Sequence, residues 1–256
     1  MQPGPFRLTR VCAVAALVAA SACGPRGDLQ AERGDAAIAS EGQAASATSP
    51  AASRTEAPAA RPRIVALGDS LTAGLGLSMN QAYPALLQQR LTADGLDYEV
   101  VNAGVSGDTS AGGLARLDWA LDGDVRVLIV ALGGNDGLRG LPTEQLKRNL
   151  SQIIQRAQAR RITVILAGME APPNHGWEYV VDFHQVYPDL ARTYHVALVP
   201  FLLQGVAGHD ELNQRDGMHP TPEGARIVAA NVWATLKPIV VKLPPRMIRG
   251  ERPPGS

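Results

Sequence analysis

Cysteine is almost absent from this sequence. The two present, Cys12 and Cys23, both lie near the N-terminus, so the rest of the chain has no thiol nucleophile, no thiolate zinc site and no disulfide. Aromatic residues are scarce at 4 %, and neither sign of charge is in excess, with 24 Lys and Arg against 24 Asp and Glu. No basic stripe with interleaved aromatics exists, which argues against nucleic acid as a partner. Long hydrophobic runs are missing too: Val11–Ala20 is too short to span a bilayer as a helix. No His/Asp/Glu spacing suits a metal ion, the pair Asp122 and Asp124 reads as a solvated turn before a strand, and no cofactor is implied.

The N-terminal segment has its own logic. Arg7 and Arg10 precede that apolar run and small residues follow it, the layout of a secretory signal over residues 1–22. Ala20-Ser21-Ala22 before Cys23 serves as a cleavage site and also resembles a bacterial lipobox, in which Cys23 becomes the lipidated N-terminus. Ala20 is smaller than the aliphatic residue usual in a lipobox; the alternative is simple cleavage. Residues 23–62 are rich in Ala, Ser, Gly and Pro, have no apolar periodicity, and read as a flexible tether. The expectation is an exported protein anchored through Cys23 on the periplasmic side of a bacterial membrane. Gly24 stands where an inner-membrane retention signal would place Asp, which favours the outer membrane; a soluble periplasmic protein is the alternative. Residues 63–240 suffice for one domain, and the basic, Pro-rich stretch 241–256 reads as a disordered tail.

Within that domain, Arg63–Leu67, Tyr98–Val101, Val125–Leu132, Ile162–Ala167 and Val196–Val199 are rich in Val, Ile and Leu and read as buried strands. Between them Tyr83–Ala93, Ser110–Leu121, Thr143–Ala159 and Tyr179–Tyr194 carry helical spacing; Leu146, Leu150, Ile153, Ile154 and Ala157 recur along one face. The alternation predicts an α/β fold, a parallel sheet covered by helices on both faces. Ligands bind such sheets at the carboxyl ends of the strands, so the loops there carry the interest.

Four of those loops hold Gly68-Asp69-Ser70-Leu71, Ser106-Gly107-Asp108-Thr109, Gly133-Gly134-Asn135-Asp136 and Asp216-Gly217-Met218-His219. Each alone is ordinary turn or cap chemistry. Brought to one sheet edge, they supply the parts of acyl transfer. Ser70 would be the nucleophile, His219 is a candidate base, and Asp216, three residues earlier, can reach its other ring nitrogen. Backbone N–H groups of Ser70 and Gly107 with the Asn135 amide would meet an oxyanion. Ser70 is not the elbow of a G-x-S-x-G hydrolase, because the second glycine is missing.

These blocks, in this order, resemble those of the SGNH (GDSL) hydrolases. NAGVSGDTSAGGLARL, ALGGNDGLRGLPTEQ and the stretch from APPNHG to VALVPFLL resemble the bacterial subgroup with acyl-CoA thioesterase I, lysophospholipase and arylesterase activities. The resemblance implies a flavodoxin-like three-layer sandwich with a five-stranded parallel sheet of order 2-1-3-4-5. It also implies Ser70 as nucleophile, Gly107 and Asn135 as oxyanion donors, and Asp216 and His219 completing a triad. The expected substrate is a small-molecule ester or thioester, and the expected state a monomer. Leu138, Leu141, Pro142, Met169, Pro172 and Trp177, in the loops after the third and fourth strands, are candidates for an apolar substrate wall. His175 could line the cleft or be a solvated loop residue; His184, His195 and His209 read as helix-surface or turn histidines. The competing functions are a carbohydrate O-acetyl esterase and, from another class, a catalytically idle, tethered acyl-binding protein.

Overall fold

The computed structural model describes residues 61–243. The expected leader, Cys23, nearly all of the tether and almost the whole tail lie outside the described residues. Five strands form one parallel sheet: β1 (Arg63–Gly68), β2 (Glu99–Gly104), β3 (Val125–Ala131), β4 (Thr163–Ala167) and β5 (Ala197–Val199). Their order is β2-β1-β3-β4-β5, as the resemblance implied. The central strands are apolar on both sides because helices cover both faces: Ile64–Leu67 and Val127–Ala131 are all buried.

Helix α1 (Ser70–Ala73) is a single turn after β1, and α2 (Tyr83–Ala93) follows it. The third and fourth helices are α3 (Ser110–Ala115) and α4 (Leu117–Ala120), then come α5 (Gly134–Leu138), α6 (Thr143–Ala159), α7 (Trp177–Tyr194) and α8 (Pro222–Lys242). Helices α2 and α8 pack together on one face, while α3, α6 and α7 pack in series on the other. The apolar stripe of α6 is buried at Leu146, Leu150, Ile153, Ile154 and Ala157, with polar residues facing outward, and it lies where the spacing put it.

Several segments differ from expectation. The helix predicted over Ser110–Leu121 breaks at Arg116, whose φ of −102° and ψ of 9° interrupt the turn; Gly112 and Gly113 are weak helix formers there. The third strand stops at Ala131 and a short helix, α5, occupies part of the predicted turn. Helix α8 runs past residue 240 to Lys242. Strand β2 begins at Glu99 instead of Tyr98, whose side chain is buried and faces the carbonyl of Val240.

Candidate active site

The loops after β1, β2 and β3 and the turn before α8 meet at the carboxyl edge of the sheet. Ser70 opens α1 directly beyond β1. The preceding glycine has a packing reason: a Cβ on Gly68 would lie 1.9 Å from Thr72 Oγ1 and 2.8 Å from the Ala131 carbonyl. Asp69 caps this turn, its Oδ1 accepting the Leu71 N–H at 3.0 Å.

His219 comes from the far end of the chain, and its Nε2 stands 2.8 Å from Ser70 Oγ. Its Nδ1 stands 2.6 Å from Asp216 Oδ2. Asp216 Oδ1 accepts the backbone N–H groups of Met218 at 2.9 Å and His219 at 3.0 Å. Those two amides, with the imidazole, hold the Asp216 carboxyl well below the usual carboxylate range. An ionised carboxylate can only accept, so Nδ1 carries the proton and the Nε2 lone pair faces the serine hydroxyl. That is the tautomer in which imidazole can take the hydroxyl proton.

Gln214 fastens this turn to the serine loop, its Nε2 donating to the carbonyls of Leu75 at 2.8 Å and Pro220 at 3.0 Å.

Gly107 lies in a turn closed by Asp108 N–H to the Val105 carbonyl at 3.1 Å, with φ of +85°. A Cβ there would meet nothing within 4 Å, so glycine is required by backbone conformation and not by space. Arg116 anchors the turn. Its Nε donates to Asp108 Oδ2 at 2.6 Å, Nη1 to the Ala103 carbonyl at 2.7 Å and Nη2 to the Gly68 carbonyl at 2.8 Å. One guanidinium thus ties the ends of β1 and β2 to the Gly107 turn. Arg139 Nη2 holds the Gly107 carbonyl from the other side at 3.0 Å. Asn135, in α5, donates from Nδ2 to the Asp108 carbonyl at 2.9 Å and to Asp69 Oδ2 at 3.3 Å. Behind it, buried Asp136 accepts from Ser110 N–H at 2.8 Å and Ser110 Oγ at 2.6 Å.

Ser70, Gly107, Asn135 and His219 all open into one cavity of about 720 Å³. Of the six expected wall residues, Leu138, Met169 and Pro172 line it; Leu141, Pro142 and Trp177 do not. The Leu141 carbonyl accepts from Tyr179 Oη at 2.8 Å, Pro142 caps α6, and Trp177 starts α7 with 79 % of its surface exposed. The rest of the apolar wall is Leu71, Leu75, Phe201, Leu203 and Met218 among others. Its Phe201 and Leu203 belong to an apolar run directly after β5, a signal present in the sequence. His175 does not line the cavity; its Nε2 lies 3.3 Å from the Leu138 carbonyl and its ring meets Tyr179 edge-on. No cluster suited to a metal ion occurs among the described residues.

Residues 66–227 match the GDSL-like lipase/acylhydrolase family. The chain belongs to this family. Esterase TesA of Pseudomonas aeruginosa is 48% identical over 183 residues, 71% of this chain and 91% of that protein. The thioesterase 1/protease 1/lysophospholipase L1 of Escherichia coli is 39% identical over 183 residues, 71% of this chain and 86% of that protein. A crystal structure of TesA superposes with a TM-score of 0.67 at 47% identity, covering 69% of this chain and 99% of that one. AlinE4, an SGNH-hydrolase family esterase, superposes with a TM-score of 0.59 at 43% identity, covering 73% and 98%. Membership in this family makes the chain an ester hydrolase.

Proposed function

We propose that this GDSL hydrolase cleaves aryl or acyl esters, lysophospholipids and acyl thioesters through an acyl group carried on Ser70. The observation that carries the reading is the unbroken relay from Ser70 Oγ through His219 to Asp216, at 2.8 and 2.6 Å. Ser70 Oγ attacks the carbonyl carbon while His219 Nε2 takes its proton, and Asp216 stabilises the resulting imidazolium. The carbonyl oxygen, now anionic, is met by the N–H groups of Ser70 and Gly107 and by the Asn135 amide. Collapse breaks the bond to the alkoxide or thiolate, which leaves with the proton from Nε2. Water, deprotonated by the same nitrogen, then releases the acid and restores the serine.

The cavity wall favours an acyl or aryl group of appreciable size over acetate, since each buried methylene contributes about 0.8 kcal/mol. Leu71, Leu75, Leu138, Met169, Phe201 and Leu203 offer that surface, which argues against the O-acetyl esterase alternative. An idle acyl-binding protein has no use for a relay of this geometry. Labelling with a fluorophosphonate tests the reading: a Ser70-dependent adduct is expected, and no adduct on the folded protein overturns it.

The protein is further read as exported and anchored through a lipidated Cys23, outer membrane favoured, with a soluble periplasmic protein as the alternative. No described helix is long and apolar enough to cross a membrane; acyl chains on Cys23 would supply stable anchoring. Fractionation tests this: Cys23→Ala should leave the membrane fraction or stall in processing, and a wild-type protein found soluble with unmodified Cys23 refutes it.

A further inference from the structure

Asp69 has no part in the acyl-transfer steps, yet it lines the same cavity as Ser70, Gly107 and Asn135 and is only 2 % exposed. A carboxylate so placed needs partners. Beside its own backbone N–H, Oδ1 accepts the Leu71 N–H at 3.0 Å, and Oδ2 accepts from Asn135 Nδ2 at 3.3 Å. Asn135 Nδ2 has two protons, and its other acceptor is the Asp108 carbonyl at 2.9 Å. Both protons are therefore directed at rest, one firmly and one along a long bond. An oxyanion forming in the cavity must draw on one of them, and the weaker bond, to Asp69, is the one that yields.

We propose that Asp69 is a positioning residue for the oxyanion hole, its buried carboxylate aiming the second amide proton of Asn135 into the cavity. The inference rests on the oxyanion role read for Asn135. Without an acceptor at Oδ2, the amide has one fixed bond, to Asp108, and no preference that keeps its other proton on the reacting side. Asparagine at 69 cannot substitute. With its oxygen facing Leu71 N–H, its amino group would confront the Asn135 amino group; flipped, it would confront Leu71 N–H. Either way two donors oppose each other.

The test is a double-mutant cycle on kcat and KM for a p-nitrophenyl ester. Asp69→Asn should lower kcat at least about tenfold, with KM changed less than about twofold. In an Asn135→Ala background the same substitution should have little further effect, because the group it positions is gone. A residue acting only on the fold would lower the amount of active enzyme equally in both backgrounds, and one acting on the His219 imidazolium would lower kcat in both. Asp69→Ser, which keeps a short capping oxygen for Leu71 and gives up the reach to Asn135, provides a second variant and should lose kcat similarly. Equal losses from Asp69→Asn in both backgrounds overturn the inference. Loss in Asn135→Ala with none in Asp69→Asn overturns it while leaving the oxyanion reading standing; no loss in Asn135→Ala overturns both.

Discussion

Replacing Asp69 by Asn should make the protein more stable at alkaline pH than at acid pH, relative to wild type. Burial pushes the Asp69 carboxyl up from 3.8 to about 6, against the opposing pull of the Leu71 N–H, the His219 charge and the Asn135 amide. The folded state therefore holds this proton to higher pH than the unfolded chain does. Between those two values folding binds protons, so raising the pH lowers stability; the contribution is fully present below the unfolded value and lost as pH passes the folded one. At 1.36 kcal/mol per unit, the full cost of ionising Asp69 is about 3 kcal/mol. About 2 kcal/mol of it falls between pH 4.5 and pH 8. The opposed amides created by Asp69→Asn cost the same at both pH values, so they cancel in the difference. Urea unfolding of wild type and variant at the two pH values measures it. The stability difference, variant minus wild type, should rise by about 2 kcal/mol, or about 4–8 °C in Tm for a domain of this size. A difference that stays constant with pH would mean that Asp69 is not carrying a costly buried charge, and the reasoning fails.

Ser70→Ala and His219→Ala should each remove nearly all ester hydrolysis while leaving the circular dichroism spectrum unchanged; more than a few per cent of wild-type kcat in purified Ser70→Ala sinks the mechanism. Asn135→Ala should cost roughly 10²- to 10³-fold in kcat with little change in KM, and a mainly KM effect would make it a substrate-binding residue. Because Asp216 stays ionised well below the usual carboxylate range, kcat should fall on acidification through protonation of the His219 imidazole together with the Asp69 carboxyl, which burial raises to about 6; a profile flat across acid and neutral pH, with chemistry rate-limiting, refutes His219 as base. Gly107→Ala should destabilise by about 1 kcal/mol through its φ of +85°. For p-nitrophenyl esters kcat/KM should climb from acetyl to at least hexanoyl, and a steady decline would favour the O-acetyl esterase reading.

The sheet and its helices were legible because their signals are local. Runs of Val, Ile and Leu marked all five strands, and α6 falls on the residues its apolar spacing indicated. Ser70, Gly107, Asn135, Asp216 and His219 were legible because each sits in a short block in a fixed order; the fold brings Ser70, Gly107, Asn135 and His219 to one cavity, with Asp216 behind His219. Asp69, Arg116 and Gln214 were not. Asp69 reads as a turn residue until Asn135 arrives from 66 positions away; Arg116 sits in an apparently continuous helix until it reaches Gly68 across 48; Gln214 meets Leu75 across 139. Their contacts exist only after the sheet has closed, so nothing in their neighbours announces them. Of the candidate wall residues, Met169 and Pro172, close to a strand end, reach the cavity, while nothing in the sequence set apart Trp177, which is exposed on the first turn of α7.

The serine and its base are separated by 149 residues, with the Gly107 and Asn135 loops between them and the base turn held against α8. On the proposed mechanism, a growing chain therefore makes its nucleophile early and its base last among the site residues. Until that final turn and the helix behind it have emerged and docked, the serine hydroxyl has no acceptor for its proton and is no more reactive than any other. On that mechanism the polypeptide is thus inert toward esters until this turn docks, wherever the domain folds. Turnover of a chromogenic ester is consequently a direct clock for completion of the fold.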